Sequence, residues 1–267
     1  MRIKIVLSIL MIFLSNSICP QSIELELLPK KKFYQRYYAD AIAHQFSLAK
    51  HFESSQWFGN IGGYLPVANV SLSNHTFQIS AAATVFNTVI KTPGHIQVFT
   101  VDYLVDFFID KEFSNLLTFR FIYGHLSAHF SDDGITQLNF IPISYVRDYI
   151  GVHSTQNIPY IKGKLYEGIF YNYHNEPVTN RHFTFQFGGD AGIKLVKDIT
   201  AYFAIDIKIK SEVNYGTTQS YQAGLKYPDN NDIAIRIAFT HRRGFEERGQ
   251  LFNYKDIKNT FGIFIDF

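Results

Sequence analysis

The chain has 267 residues, of which 46% are apolar, 16% aromatic and 18% charged. Lys and Arg number 25 against 23 Asp and Glu, and the resulting net charge of +2 excludes a strongly basic nucleic-acid binder and an acidic disordered tail. The single Cys excludes an internal disulfide framework and any cysteine-based zinc site, while 26 Phe and 17 Tyr suit a chain of alternating strands.

In chain order, the first element is an export signal. Met1-Arg2-Ile3-Lys4 gives a short basic start, and an apolar run follows from Ile5 to Leu14. That run is too short for a membrane helix, which needs roughly 20 residues. Ser15 and Ser17 supply small residues for cleavage, so residues 1–21 are assigned to a cleaved signal peptide. Cys19 raises a lipid-anchor alternative, against which stands bulky Ile18 where a small residue is expected. Residues 22–40, including Lys30-Lys31-Lys32, form a segment that lies in the periplasm or plugs a lumen.

From residue 41 to 267 the pattern has a period of two. Strands are predicted at 42–51, 57–66, 75–86, 97–109, 115–129, 138–150, 160–173, 182–194, 200–210, 216–227, 232–242 and 257–267. Between Gln97 and Ile109 the odd positions give Phe99, Val101, Tyr103, Val105 and Phe107, against Thr100, Asp102 and Asp106. Later segments repeat this, with Ala201, Phe203, Ile205, Ile207 and Ile209 set against Tyr202, Asp206, Lys208 and Lys210. Alternate side chains of a strand point to opposite faces, so each segment has one apolar and one polar face. The 138–150 segment is disturbed by Pro142, Arg147 and Asp148.

A soluble β-sandwich would also alternate. Charges in mid-strand and long aromatic bands, matching the ~9–11 residues of a tilted membrane strand, favour a membrane barrel. The predicted fold is therefore all-β, a transmembrane antiparallel up-and-down barrel of about twelve strands with periplasmic termini, and bacterial outer-membrane localisation follows. Lys197-Asp198, Pro228-Asp229-Asn230-Asn231 and Asp110-Lys111-Glu112 then fall on the periplasmic side. Asp132-Asp133-Gly134 and the stretches 175–181 and 243–258 fall outside. The chain stops on Phe261, Ile263, Ile265 and Phe267, which resembles the terminal-strand signal that outer-membrane barrels present to their assembly machinery. The expected partners are that machinery and outer-membrane lipids, with no nucleic acid, and the barrel is expected to be a monomer.

Two sets of residues bear on function. Asp102, Asp106, Arg120, Gln186, Asp190, Asp206, Lys208 and Arg236 share the inward parity and are predicted to line the lumen, as a hydrogen-bonded filling or a narrow path for small polar solutes. His125, Ser127 and His129 share the outward face beyond the aromatic residues Phe119, Phe121 and Tyr123. A His can activate a Ser on the same face, given a third group to orient it, and Asp132, Asp133 or a neighbouring-strand residue such as His95 is a candidate. His125 and His129 are four apart on a strand, too distant for one ion without a bend, and no metal or cofactor is expected.

The segment from Asp102-Tyr103-Leu104-Val105 through Arg120 to His125-Leu126-Ser127-Ala128-His129-Phe130-Ser131-Asp132 resembles a bacterial outer-membrane family known as domain of unknown function 1207. That resemblance implies an outer-membrane barrel and no activity. The His-x-Ser pair is also similar to the arrangement in outer-membrane phospholipase A and the lipid A deacylases, without their following Asn. The leading expectation is a barrel without enzymatic activity, whose lumen is either a hydrogen-bonded filling or a narrow channel for small polar solutes. Its rival is a lipid hydrolase using Ser127, His125, His129 and Asp132.

Overall fold

The computed structural model describes residues 23–33, 36–138, 141–228 and 233–266. The signal segment 1–21 with Cys19, the turn residues 229–231 and Phe267 lie outside the described residues. Among the described residues, thirteen strands form one antiparallel sheet: β1 (Ile23–Leu27), β2 (Phe46–His51), β3 (Gln56–Leu72), β4 (His75–Thr92), β5 (His95–Ser114), β6 (Leu117–Phe130), β7 (Tyr145–Ile158), β8 (Gly163–Glu176), β9 (Phe183–Val196), β10 (Ile199–Lys210), β11 (Gly216–Tyr227), β12 (Ala234–Phe245) and β13 (Lys255–Asp266). Each strand from β2 onward pairs with the next, and β13 pairs back onto β2, so these twelve close an up-and-down barrel. Closure leaves no free edge between these neighbours, which a membrane requires of a sheet.

β1 stands outside that count. It pairs with the far end of β3, Leu27 opposite Ala68, whereas β2 pairs with the near end, Ser47 opposite Asn60. Both run antiparallel to β3, so the chain lies in the wall at β1, leaves it after Leu28 and re-enters the same column at Phe46. Pro66 sits in the stretch of β3 between the two pairings, where neither β1 nor β2 is opposite it, and the β3–β4 register shifts just after it. We call the rim carrying Asp266 the lower rim and the opposite one the upper rim. A short helix, α1 (Asp132–Leu138), lies in the upper connection between β6 and β7.

The alternation reads out directly in exposure. Phe107, Phe119, Phe121, Phe187, Phe203, Ile235, Ile237, Phe239, Phe261 and Ile263 are exposed on the outer wall, while the intervening polar residues are buried inside. This inverts the soluble pattern and is the arrangement that lipid imposes. Every predicted strand has its counterpart. The largest shift is at 138–150, where the strand begins at Tyr145 because the residues before it belong to the upper connection. Asp110-Lys111-Glu112 lies within β5, and the tight turn follows at Asn115-Leu116.

The lumen is filled from both ends. All eight residues predicted to face inward are buried. Asp110 and Arg120 form a two-point pair at 2.6 and 2.7 Å, and Lys164 pairs with Asp190 at 2.8 Å. Arg236 donates to Asp266 and Gln222, and Asp206 accepts from Tyr166 and Gln186. From below, residues 36–45 enter the lumen. Arg36 pairs with Asp266, the Tyr37 ring stacks on Tyr166, Asp40 pairs with Lys208, and His44 bonds Asp106 and Thr84. From above, residues 246–252 fold inward between β12 and β13, and Glu247 meets the same Lys208 at 3.4 Å. Residues 36–45 thus lie within the lumen, whereas Ile23–Leu27 pair with β3 in the wall. A cavity of about 70 Å³ remains beside them, lined by His44, Asp106, Arg120, Tyr149, Lys208 and Glu247 among others.

Charges this deep persist only when paired. Glu247 and Glu212, both in upper connections, show the balance. Burial would raise each carboxyl, but Lys208, Lys210 and Arg242 around Glu247, and Arg147 and Lys210 around Glu212, hold both below the ordinary glutamate value of 4.5. Arg248, buried beside Asp102, is pushed down to about 10 by desolvation.

Candidate active site

On the outer wall near the upper rim, three polar side chains form a row across three strands. His125 on β6 lies directly opposite Asp148 on β7, and Asp148 lies opposite His174 on β8. His125 Nδ1 is 2.6 Å from one Asp148 oxygen, and His174 Nδ1 is 2.8 Å from the other. The aspartate thus bridges two imidazoles through their δ nitrogens, and Nε2 of His125 makes no hydrogen bond among the described residues. The histidine side chains are 47% and 50% exposed against 22% for Asp148, so the carboxylate is screened by its own partners.

Local backbone explains why these residues meet. His125 takes the outward parity of Phe119, Phe121 and Tyr123. Asp148 shares the outward face of β7 with Ile150 and Val152, and its inward neighbour Arg147 pairs with Glu212. His174 would face inward on strict alternation. A register shift prevents this: Asp148 opposes His174 while Tyr149 opposes Asn172, so Tyr173 is an extra residue. Such a bulge re-aims the side chains beside it, and here both Tyr173 and His174 emerge on the outer wall. Gly124 makes the inner side of the same place possible. A Cβ there would lie 2.0 Å from Asp106 Oδ1 and 2.4 Å from Tyr149 Cζ, where the Tyr149 hydroxyl donates to Asp106 at 2.6 Å.

Ser127 follows His125 on the same face, half-buried, opposite Tyr103 on β5 and Val146 on β7. Its hydroxyl has no hydrogen-bond partner among the described residues. His129 lies one step further up, its ring edge-on to Tyr103 at 6.0 Å. Below the row, Tyr123 and Tyr173 stack with their ring planes 15° apart, and the Tyr173 hydroxyl donates to Tyr123 at 3.1 Å. Beneath them the wall is apolar: Phe121, Ile150, Val152, Ile169 and Tyr171. The site is thus a polar notch at the top of a greasy, aromatic slope.

Sequence reasoning placed His125, Ser127 and His129 on one outward face, as found. Of the third groups expected, the named residues Asp132, Asp133 and His95 lie elsewhere, and the group beside His125 is a neighbouring-strand residue, Asp148. Asp132 opens α1 and Asp133 accepts from the Val98 amide, and neither is hydrogen-bonded to His125. His95 opens β5 beside the upper turn. The partner of His125 is Asp148, one of the residues that broke the strand pattern. The eight inward residues belong to the filled lumen and none reaches this wall. Among the described residues no three His, Cys, Asp or Glu side chains are arranged to hold a metal ion.

The comparisons with known proteins bear on the fold. No family profile matches the chain, and no curated protein does. Among solved structures the barrel is similar to the outer membrane phospholipase of Salmonella typhi, with a TM-score of 0.54 at 11% identity, covering 90% of this chain and 95% of that one. It is similar to outer membrane phospholipase A from Escherichia coli, with the same score and identity over 84% and 92%. At this identity the likeness establishes the antiparallel β-barrel fold, shared with these outer-membrane proteins, and no activity.

Proposed function

We propose that this protein is an outer-membrane hydrolase that cleaves an ester bond of a membrane lipid at the outer leaflet, with Ser127 as nucleophile, His125 as base and Asp148 as the group that orients the base. The observation that carries this reading is the 2.6 Å contact between His125 Nδ1 and Asp148 beside Ser127 on the lipid-facing wall. With Nδ1 committed to the carboxylate, Nε2 is the nitrogen left to receive a proton, and the i, i+2 spacing makes Ser127 the next residue on the same face. A carboxylate–imidazole pair beside a serine is a poor use of a wall that should meet lipid tails, where every unneeded polar group costs free energy.

The chemistry proceeds in two halves. The Ser127 hydroxyl oxygen bonds to the ester carbonyl carbon as His125 Nε2 takes its proton, and Asp148 stabilises the imidazolium. His129, on the far side of Ser127, is placed to donate to the developing oxyanion. Collapse breaks the bond to the lipid's alcohol oxygen, which leaves with the proton from His125. Water then attacks the acyl-serine with His125 again as base, releasing a fatty acid and restoring Ser127. The slope below, with Tyr123, Tyr173, Ile150 and Val152, receives the acyl chain.

The occupied lumen speaks against the channel reading, since residues 36–45 and 246–252 occupy the path a solute would take. The deciding experiment is hydrolysis of phospholipid or lipopolysaccharide in mixed micelles by the folded protein. Turnover that disappears in Ser127→Ala supports the assignment. Wild-type protein that turns over neither substrate removes it.

A further inference from the structure

The upper connection between β12 and β13 turns into the barrel, and its tip reaches the back of the strands that carry the site. Glu246, Glu247, Arg248, Gly249 and Gln250 are all buried. The segment is pinned at several points: the Gly249 amide donates to Asp102 at 2.9 Å, Arg248 donates to Asn60 at 3.2 Å, and Lys210 donates to the Glu246 carbonyl at 2.8 Å. The fit against β6 and β7 is close. A Cβ on Gly249 would lie 2.3 Å from the Tyr145 ring and 2.6 Å from Ala128 Cβ, so only glycine passes there without displacing a strand end.

Gln250 completes this contact. Its Nε2 donates to the Ala128 carbonyl at 2.6 Å and to the Ile143 carbonyl at 2.8 Å, and its Oε1 accepts from the Ile143 amide at 3.1 Å. Ala128 opposite Tyr145 is the last pair of the β6–β7 ladder. Gln250 therefore adds a rung beyond the ladder's end, joining the residue after Ser127 to the chain that leads into Asp148. We propose that Gln250 is a positioning residue for the Ser127–His125–Asp148 site, holding β6 and β7 in register from inside the lumen. The inference rests on the hydrolase reading above and deepens it, because it makes the filled lumen part of how the outer site is held.

Nucleophile and base must be aligned to a fraction of an ångström, and a displacement of 1 Å can cost about 100-fold in rate. Gln250 touches neither lipid nor reacting atoms, so its loss falls on kcat and leaves KM in place. Two variants separate its role from simple folding. Gln250→Ala removes all three bonds, whereas Gln250→Glu keeps the shape and the acceptor and loses the two donor bonds to Ala128 and Ile143.

The test measures three quantities on detergent-folded wild type and both variants: kcat and KM on a micellar phospholipid, the rate of Ser127 labelling by a lipid-like fluorophosphonate, and amide hydrogen exchange. Both variants are expected to lose about 100-fold in kcat and in labelling rate with KM unchanged. Exchange is expected to quicken at 126–130 and 145–147 while β10–β13 stays protected. Variants that keep wild-type kcat and labelling overturn the proposal. So does a loss spread over the whole barrel's exchange, which marks a folding role. If wild type itself neither turns over nor labels, the hydrolase reading fails and this proposal with it, and the exchange data then report the strand clamp alone.

Discussion

The lumen and the upper outer wall use the same residue types to opposite ends. Inside, Asp, Lys, Arg and Gln are numerous, deeply buried and matched: Arg236 with Asp266, Arg120 with Asp110, Lys164 with Asp190. Outside, polar residues on the apolar slope of β6–β8 are few and half exposed, and one carboxylate serves two imidazoles. A buried ion pair inside a barrel is accounted for by its partner, because either charge alone would be stranded out of water. A His–Asp–His row facing lipid satisfies nothing that leucine would not, beside a serine with no partner among the described residues. The abundance of charge thus marks structure here, and its scarcity marks the site.

The largest effect that would sharpen this contrast is on chemistry. Ser127→Ala is expected to reduce lipid hydrolysis by on the order of 10⁶-fold, to background, with the barrel still folded by its heat-modified electrophoretic mobility. Asp148→Asn should cost on the order of 10³- to 10⁴-fold, because the amide can hold the wrong tautomer of His125. Its readout is kcat on the same micellar substrate. In the lumen the expected loss is of stability. Arg236→Ala removes the two-point partner of Asp266, which keeps Arg36, and should destabilise by about 1–3 kcal/mol, seen as an earlier urea midpoint. Hydrolysis per folded molecule should hardly change. Equal activity losses from Arg236→Ala and Asp148→Asn would break the division between the two regions.

A smaller effect is expected at His174. It shares the aspartate but lies on the far side from Ser127, so His174→Ala should cost roughly tenfold or less in kcat. The smallest concerns pH. Glu247 and Glu212 have depressed folded values, so the stability they supply is present above their ordinary value of 4.5 and is lost as pH falls through the folded values. The inward segment should therefore stay latched through neutral and mildly acidic pH. Amide exchange at 246–252 should rise only in strong acid, and release near neutrality would contradict the pairing.

Much of this molecule was legible in its sequence, and the gaps have physical causes. Period-two alternation depends only on chain geometry, so all twelve barrel strands and the eight inward residues could be read from parity. The outward placement of His125 and Ser127 followed in the same way. Three features depend on register instead. Asp148 meets His125 only because β6 and β7 pair with those residues opposite, and no single strand's pattern encodes that. His174 faces outward only because Tyr173 is bulged, and strict alternation would have buried it. The third is the pair of inward segments. Residues 42–45 read as the start of the strand predicted at 42–51, which begins only at Phe46, and residues 246–252 read as an ordinary upper loop, since their partners Lys208, Asp102 and Ala128 come from remote strands. Asp148 did leave one trace: it broke the strand pattern at 138–150, and a polar residue on a lipid-facing parity was the signal available.

The central claim, that the outward Ser127–His125–Asp148 arrangement cleaves lipid, is tested most directly by covalent trapping. Folded protein is treated with a lipid-like fluorophosphonate and the adduct is located by mass spectrometry. The account predicts one phosphonylated residue, Ser127, with labelling slowed by several orders of magnitude in Asp148→Asn. A folded wild-type protein that takes no label at Ser127, or labels equally with Asp148 replaced, would contradict it.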